Sequence, residues 1–248
     1  MFARLKMGPM NKPYNYPGEE LRLFEKAKKW KEYFAEKIKP YIQGNVLEAG
    51  AGMGETTPYL LTNHVNSWTS LEPDENLFAI LQKKITSDNL PTSWKAQHGT
   101  LSILPSDAQF NTILYIDVLE HIEDDHGELA KAVSHLKDGG HLIVLSPAFQ
   151  MFYSPFDKAI GHHRRYTKKT LRKVVSITEL EEKRMFYMES TGAFLLMLNK
   201  YLLKMKYPTK NQIGFWQTVL VPVSKLLDKI LFYRFGKTIV GIWQKPRP

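Results

Sequence analysis

The stretch from residue 46 to residue 60 constrains the fold most, because an apolar run leads there directly into a glycine-rich turn. It reads VLEAGAGMGETTPYL and carries glycine at positions 50, 52 and 54. Glycine adopts positive φ readily and lets a ligand approach the backbone closely. A strand, a bare turn and a helix in this order are typical of a doubly wound α/β sheet, which binds its ligand at such a turn.

The chain around this turn alternates between strand-like and helix-like segments. The strand-like runs are NVLEAG, SWTSLEP, SWKAQHG, FNTILYID and GHLIVLSP, and the helical patterns begin near Thr57 and include ENLFAILQKKI and GELAKAVSHL. Apolar strands that alternate with helices predict a parallel sheet with helices on both faces. Residues 19 to 39 precede the first strand and carry apolar side chains at the three-and-four spacing of an amphipathic helix.

Composition limits the classes of protein that the chain can form. The 248 residues contain no cysteine, which excludes disulfides and thiolate metal sites. No apolar run reaches the roughly 18 residues of a membrane span, and the N-terminus lacks the apolar stretch of a signal peptide, so we expect a cytoplasmic protein. The net charge of +9 favours a nucleic acid, a phosphorylated small molecule or an anionic membrane surface as partner.

The glycine turn and the second strand together predict the type of ligand. The dinucleotide fingerprint would need glycine at position 55, where the chain has Glu55, and a carboxylate there would repel a pyrophosphate. Glu72 ends the second strand about 20 residues after the turn, where an acidic side chain can bind ribose hydroxyls. This order predicts a nucleoside-containing cofactor, and the alternative is a plain glycine-rich turn followed by an exposed glutamate.

Four segments then carry a family resemblance. VLEAGAGMGETT, LEPDENL, ILYIDVLEHIEDD and LKDGGHLIVLSP cover residues 46 to 147 and resemble class I S-adenosylmethionine-dependent methyltransferases. SPFDKAIGHHRRYTKKTL and ELRLFEKAKKWKEYF are similar to a bacterial branch of this family that is associated with cell-surface glycan or lipid biosynthesis. The resemblance implies a doubly wound, Rossmann-like α/β fold. Its sheet would have seven strands, with the last strand antiparallel. An N-terminal helix would precede the sheet, and a helical insert would precede the last strand.

This resemblance also implies a domain organisation. Residues 1–44 would form an N-terminal cap and helix, and residues 45–248 the methyltransferase domain, with KRMFYMES and KTIVGIWQKP as its late strands. The helical insert would span about residues 191–236. From Pro222 to Phe232 it places apolar residues on one helical face and polar residues on the other. The insert could be a lid over the active site, a dimer surface or a membrane contact.

By the same resemblance the cofactor would be S-adenosylmethionine, with S-adenosylhomocysteine as product. Glu48 and the backbone at Gly50 would face the methionyl amine, and Glu72 would hold the ribose. Relatives often place an aspartate near the adenine where this chain has Thr100. The expected cofactor-binding residues are Glu48, Gly50, Ala51, Gly52, Glu72, Pro73, Thr100, Leu101, Asp117 and Val118.

The remaining site predictions concern proton transfer and the acceptor. A hydroxyl acceptor could lose its proton to a histidine, whose pKa is close to neutral. The candidate bases are His121, His162 and His163. Arginines of the segment GHHRRY could clamp a phosphate or carboxylate, although YTKKTLRKV could also simply begin a basic helix capped by Thr167. The expected substrate-binding residues are Tyr16, Tyr153, His162, Arg164, Arg165 and Tyr166, with Tyr14 and Tyr16 as a cap over the cofactor.

The segment EHIEDDH also contains histidines and carboxylates that could bind a metal. His121 and His126 are five residues apart and would not share one face of a helix, whereas acidic residues suit a helix N-terminus. We therefore expect no metal.

These patterns lead to one principal functional hypothesis. We expect methyl transfer to an oxygen or nitrogen of a small or medium acceptor, such as a sugar, a glycolipid or another anionic metabolite. The alternatives are an RNA or other nucleic acid methyltransferase, and a catalytically inactive cofactor-binding scaffold. The fourth strand ends in DVLEH and lacks an NPPY-like tetrapeptide, so we expect a small-molecule or glycan- or lipid-linked substrate instead of nucleic acid. We further expect a monomer or homodimer, with peripheral contact at the inner face of the membrane as an option.

Overall fold

A computed structural model describes residues 16, 21, 24–87, 93–198 and 209–247, and its centre is a seven-stranded sheet. The strand order is β3-β2-β1-β4-β5-β7-β6. β1 to β5 are parallel, whereas β7 runs antiparallel to both β5 and β6. This topology confirms the predicted fold class. The strands are β1 Gly44–Ala49, β2 Val65–Glu72, β3 Trp94–His98, β4 Phe110–Ile116, β5 Leu136–Pro147, β6 Glu181–Met188 and β7 Thr238–Gln244.

The strand order reverses at β1, which pairs with β2 on one side and with β4 on the other. Ala49 at the end of β1 is in register with Leu71 and with Tyr115. The carboxyl ends of these three strands therefore open one crevice, and such a switch point is the ligand site of this architecture. The glycine turn follows β1 at this point.

Helices cover both faces of the sheet. α1, α3 and the helices between β6 and β7 pack on one face around Trp30, Leu81 and Trp216, while α4 and α6 pack on the other around Leu129 and Leu171. The helices are α1 Lys28–Ile38, α2 Thr57–Leu60, α3 Glu75–Ser87, α4 Asp125–Ser134, α5 Pro155–Ala159, α6 Lys168–Val175, α7 Ser190–Leu198, α8 Lys210–Phe215 and α9 Val221–Ile230. A π-helical turn over Trp216–Leu220 joins α8 to α9.

Two predicted helices differ from the structure in length. The continuous helix predicted over 19–39 is interrupted, because residues 25–26 form a turn and Ala27 has non-helical ψ of 56° before α1 begins. The helix predicted from Thr57 lasts four residues and ends before Leu61, which is extended. The predicted N-terminal cap with Tyr14, and residues 199–208 of the predicted insert, lie outside the described residues.

The helix α9 buries two polar side chains and leaves large apolar side chains exposed. Ser224 and Asp228 are fully buried, whereas Leu226 and Ile230 are 62% and 61% exposed. The reason is hydrogen bonding: Asp228 accepts the backbone N–H groups of Glu189 and Ser190 at 2.6 and 2.9 Å, at the start of α7. Helix N-termini leave such donors unpaired, and a buried one needs an acceptor. Among the described residues, no helix combines the length and apolarity that crossing a bilayer requires.

Candidate functional site

A cavity of about 890 Å³ lies at the carboxyl ends of β1, β2 and β4, between the sheet and the helical insert. Most of the residues that the sequence predicts for the site lie on its wall. These are Tyr16, Glu48, Gly50, Ala51, Gly52, Glu72, Pro73, Thr100, Leu101, Asp117, Val118, His121, His162 and Arg165. Four other predicted residues lie outside the wall: Tyr153, His163, Arg164 and Tyr166.

The glycine turn is held by Glu72. The backbone N–H of Gly52 donates to Glu72 Oε2 at 2.7 Å, and that of Asp74 donates to Oε1 at 2.9 Å. Gly52 has φ of +57°, and a Cβ built on it would meet only Leu21 Cδ1, at 3.7 Å, so the space above the turn is open. Burial raises the pKa of Glu72, while the two amide donors oppose the rise. The carboxylate oxygens retain lone pairs with which to accept ligand hydroxyls.

Glu48 occupies the floor of the cavity at the end of β1. Three donors converge on its Oε2: Thr57 Oγ1 at 2.6 Å, Trp68 Nε1 at 3.0 Å and Ser70 Oγ at 3.0 Å. None of the hydrogen bonds between described residues goes to Oε1. Burial raises the pKa of Glu48, and the three donors lower it in part. A positively charged ligand group beside Oε1 would favour the ionised carboxylate.

Tyr16 is held at the edge of the cavity by Asp74, a residue that sequence reasoning missed. The backbone N–H of Tyr16 donates to Asp74 Oδ2 at 2.7 Å. Asp74 Oδ1 accepts the N–H groups of Asn76 and Leu77, both at 2.9 Å, at the start of α3. The Tyr16 ring also meets the His121 ring edge-on, with centroids 5.5 Å apart. The sequence could have indicated Asp74, because an aspartate just before a helical pattern, as in LEPDEN, is typical of a helix N-cap.

Ionisable side chains crowd the end of β4. Asp117 has φ of +53°, and its removal from bulk water raises its pKa to about 6. Glu120 is fully buried and accepts from Ser146 Oγ at 2.6 Å; burial, with a contribution from Asp117, raises its pKa to about 7. Burial lowers the pKa of His121 to about 3, so its imidazole is neutral near pH 7.

His162 belongs to a second set of bonded groups, centred on the buried carboxylate of Asp157. His162 Nδ1 and Asp157 Oδ1 are 2.9 Å apart, and Arg165 donates to both Asp157 oxygens at 2.8 and 3.1 Å. These partners outweigh burial and hold the pKa of Asp157 well below its usual range. Burial alone would lower the pKa of His162, but Asp157 and Glu120 raise it.

The predicted arginine clamp is occupied by protein carboxylates. The guanidinium of Arg165 is committed to Asp157, while Arg164 pairs with Asp125 Oδ2 at 2.5 Å and donates to the carbonyl of Glu123 at 2.7 Å. Tyr166 is 1% exposed and donates to Asp125 Oδ2 at 2.8 Å. Arg164 and Tyr166 therefore brace the chain around His162 and do not reach the cavity.

The two other residues outside the wall touch the same segment through backbone groups. Tyr153 OH donates to the carbonyl of His162 at 2.6 Å, and the backbone N–H of His163 donates to the carbonyl of Glu120 at 2.8 Å. The His163 side chain is exposed. The alternative interpretation of the following segment is confirmed, because Thr167 caps α6 by accepting from the N–H of Thr170.

The far end of the cavity is apolar and was not predicted. Its wall comes from α1 and from the insert: Trp30, Phe34, Leu195, Leu196, Ile213, Phe215 and Trp216. Leu195 and Phe215 are also 42% and 57% exposed, so this end reaches the outer surface of the insert. The available signal was the apolar composition of the insert, which does not say which of its residues turn inward.

Comparisons with known proteins identify the family of the chain and show similar folds. A family model described as a methyltransferase domain matches residues 20–182. The fold is similar to the chain bound to the Trm112 methyltransferase activator in a Haloferax volcanii complex, with TM-score 0.61, 15% identity and 92% of each chain covered. A Clostridium acetobutylicum S-adenosylmethionine-dependent methyltransferase gives TM-score 0.56 and 14% identity over 89% of this chain and 92% of that one.

A third similar structure contains ligands. Phosphoethanolamine N-methyltransferase 2 of Haemonchus contortus, in complex with phosphomonomethylethanolamine and S-adenosylhomocysteine, gives TM-score 0.63 and 12% identity. The match covers 92% of this chain and 58% of that one. A search of curated proteins gave no significant match.

Proposed function

The chain belongs to the methyltransferase domain family and is an S-adenosylmethionine-dependent methyltransferase, and from this premise we propose how its cavity is used. The observation that carries the proposal is the Gly52–Glu72 pair at the switch point of the sheet, where an open turn meets a carboxylate. Glu72 accepts the ribose hydroxyls, and Leu101, which is 2% exposed, packs against the adenine. Glu48 Oε1 binds the methionyl amine.

The reactive end of the cofactor then points toward Asp117, Val118 and His121. The cofactor supplies an electrophilic methyl group on a positively charged sulfur, so the protein mainly positions the acceptor and excludes water. The neutral imidazole of His121 can accept a hydrogen bond from the hydroxyl or amine of an acceptor and so orient it. The ring of His162 lies next to that of His121, with the ring centroids 4.5 Å apart and the ring planes nearly perpendicular. Asp157 orients His162 through the contact between its Oδ1 and His162 Nδ1.

The acceptor that fits this cavity best is amphiphilic, with a polar group to be methylated and an apolar portion. The polar groups lie at the end of β4, and the apolar wall extends from there to Leu195 and Phe215. A glycan- or lipid-linked acceptor has this chemistry. The exposed apolar side chains of the insert and the net charge of +9 support entry of such an acceptor from an anionic membrane surface.

Calorimetric titration of the purified protein with S-adenosylmethionine, S-adenosylhomocysteine and NAD tests the cofactor assignment. We expect one binding site per chain for the two sulfur compounds and none for NAD. Binding of NAD instead would overturn the assignment. Cofactor binding without turnover on glycan, lipid or small-molecule acceptors would favour the scaffold alternative, and transfer of a labelled methyl group to RNA would favour the nucleic acid alternative.

A further inference from the structure

Glu120, His121 and His162 bring three potential metal ligands together on the cavity wall. Their ligand atoms all lie within 4.8 Å of one another. The sequence prediction of no metal considered His121 with His126, which follows it on the same segment. In the structure the second histidine of the cluster is His162 and not His126. His162 is 41 positions from His121 along the chain, so only the tertiary structure brings the two together.

Two atoms of this cluster are buried without a hydrogen-bond partner among the described residues. They are Glu120 Oε1 and His121 Nδ1, and Glu120 is fully buried. A buried carboxylate oxygen with no donor costs free energy, and such atoms are rare in folded proteins. Both atoms belong to the same cluster, which points to a missing positively charged group between them.

Glu120 and His162 are each fixed by a hydrogen bond at the atom that would not bind the metal, as is common for metal ligands. Ser146 Oγ donates to Glu120 Oε2, and Asp157 Oδ1 bonds His162 Nδ1. These contacts leave Glu120 Oε1 and His162 Nε2 facing each other at 3.8 Å. Metal-bound histidines usually bond a carboxylate through the other ring nitrogen, which fixes the ring and its tautomer.

We propose that Glu120, His121 and His162 bind one divalent transition-metal ion at the acceptor end of the cavity. Two imidazole nitrogens with one carboxylate oxygen suit zinc, iron or cobalt better than magnesium or calcium, which prefer oxygen ligands. Three protein ligands leave a coordination position open, as in catalytic zinc sites. That position faces the cavity, because all three residues line it.

The role of this ion rests on the proposed function. A metal-bound hydroxyl of the acceptor has a lowered pKa, so its proton is released to water and the oxygen becomes nucleophilic. The oxygen then forms a bond to the methyl carbon while the carbon–sulfur bond breaks and its electron pair returns to sulfur. The sulfonium becomes a neutral thioether, and the ion is unchanged. In this arrangement His121 and His162 are ligands and do not accept the proton.

Metal titration of the full chain, stripped with a chelator, tests the site without any methyl donor. We expect calorimetry with Zn²⁺ to give one ion per chain and Co²⁺ to give the visible absorption of a low-symmetry site. Glu120→Gln and His162→Asn should each weaken Zn²⁺ binding by about 100-fold or more, since even residues behind the ligands contribute 10- to 100-fold. His126→Gln is the matched control and should bind as the wild type does.

A milder variant separates ligand loss from misfolding. Ser146→Ala keeps all three ligands and removes the hydrogen bond to Glu120 Oε2, so it should weaken Zn²⁺ binding by about tenfold. S-adenosylhomocysteine binding and far-ultraviolet circular dichroism show whether each variant is folded. If folded wild-type protein binds no ion, or if the ligand variants bind as tightly as His126→Gln, Glu120 and His162 form a simple ion pair and the proposal fails. Loss of cofactor binding with intact Co²⁺ absorption would instead count against the proposed function alone.

Discussion

Glu72 acts at the scale of a single residue both as a support for the glycine turn and as the proposed ribose acceptor. Its two oxygens already hold the N–H groups of Gly52 and Asp74. Glu72 is 4% exposed, and a ligand hydroxyl would donate a further hydrogen bond to its carboxylate. Such bonds are stronger than those between neutral groups.

We predict that Glu72→Ala weakens S-adenosylmethionine binding by about 30-fold or more, because hydrogen bonds to a charged group contribute about 1.5–3 kcal/mol each. The S-adenosylmethionine affinity of Glu72→Gln should lie between those of Glu72→Ala and the wild type, because glutamine keeps a hydrogen-bond acceptor but loses the charge. Glu75→Ala removes an exposed carboxylate nearby and is the control. Equal affinity of Glu72→Ala and Glu75→Ala in calorimetry would remove Glu72 from the binding site.

Glu48 gives a prediction about pH. Its pKa is raised in the folded state above the 4.5 of the unfolded chain, so the folded protein binds the proton more tightly. Below pH 4.5 both states are protonated and the charge costs nothing. As pH rises above 4.5 the wild type should lose stability relative to Glu48→Gln, by at most about 1.4 kcal/mol per pH unit.

Denaturant unfolding of the cofactor-free protein at several pH values measures this difference. Saturating S-adenosylmethionine should reduce the slope, because its amine favours the ionised Glu48. If the free energies of unfolding of the wild type and Glu48→Gln differed by the same amount from pH 4 to pH 7, the raised pKa of Glu48 would be contradicted. Glu75→Gln controls for the loss of a negative charge at the surface.

At the scale of elements, the insert is organised by Asp228 of α9. Asp228 accepts from Tyr33 OH of α1 at 2.8 Å as well as from the N–H groups that begin α7. One side chain thus joins α1, α7 and α9. These hydrogen bonds explain why Asp228 is buried although it is charged.

Asp228→Ala should therefore destabilise the protein by roughly 3 kcal/mol or more, because three buried donors lose their acceptor. Lys229→Ala, on the exposed side of the same helix, should change the free energy of unfolding by less than about 0.5 kcal/mol. Chemical denaturation of both variants measures the effect. If the two variants were equally stable, the insert would not depend on this junction.

The outward side of α9 leads to a prediction about membranes. Leu226 and Ile230 are both exposed on this side of the helix. We expect the wild type to sediment with vesicles containing phosphatidylglycerol more than with neutral phosphatidylcholine vesicles. The double variant Leu226→Ser with Ile230→Ser should bind at least about tenfold more weakly, since each buried aliphatic side chain contributes about 1.5–3 kcal/mol.

Ile177 supplies a control, because it is 53% exposed but follows α6, on the face of the sheet opposite the insert. Ile177→Ser should keep vesicle binding. If neither vesicle type binds the wild type, the exposed face is no membrane contact. A concentration-dependent dimer that the double variant abolishes would then identify it as a surface between two copies of the chain.

At the scale of the whole molecule, the doubly wound topology brings distant segments to one place. The turn after β1, Glu72 after β2 and Asp117 after β4 meet because these strands are neighbours and parallel. The segment that carries His162 then packs against Glu120 through the His163 N–H. The cavity is closed from the other side by α1 and the insert.

The sequence by itself determined the fold class, the glycine turn and the acidic residue at the end of the second strand, Glu72. These features depend on local spacing: alternating apolar runs, glycines at fixed offsets and an acidic residue at a strand end. The tertiary structure decided what depends on contacts between distant segments. Arg164 and Arg165 pair with Asp125 and Asp157 because those carboxylates are buried beside them, and Asp228 turns inward to satisfy another helix. His162 joins Glu120 and His121 only in the folded chain, since periodicity describes neighbours along one element and not the elements that pack together.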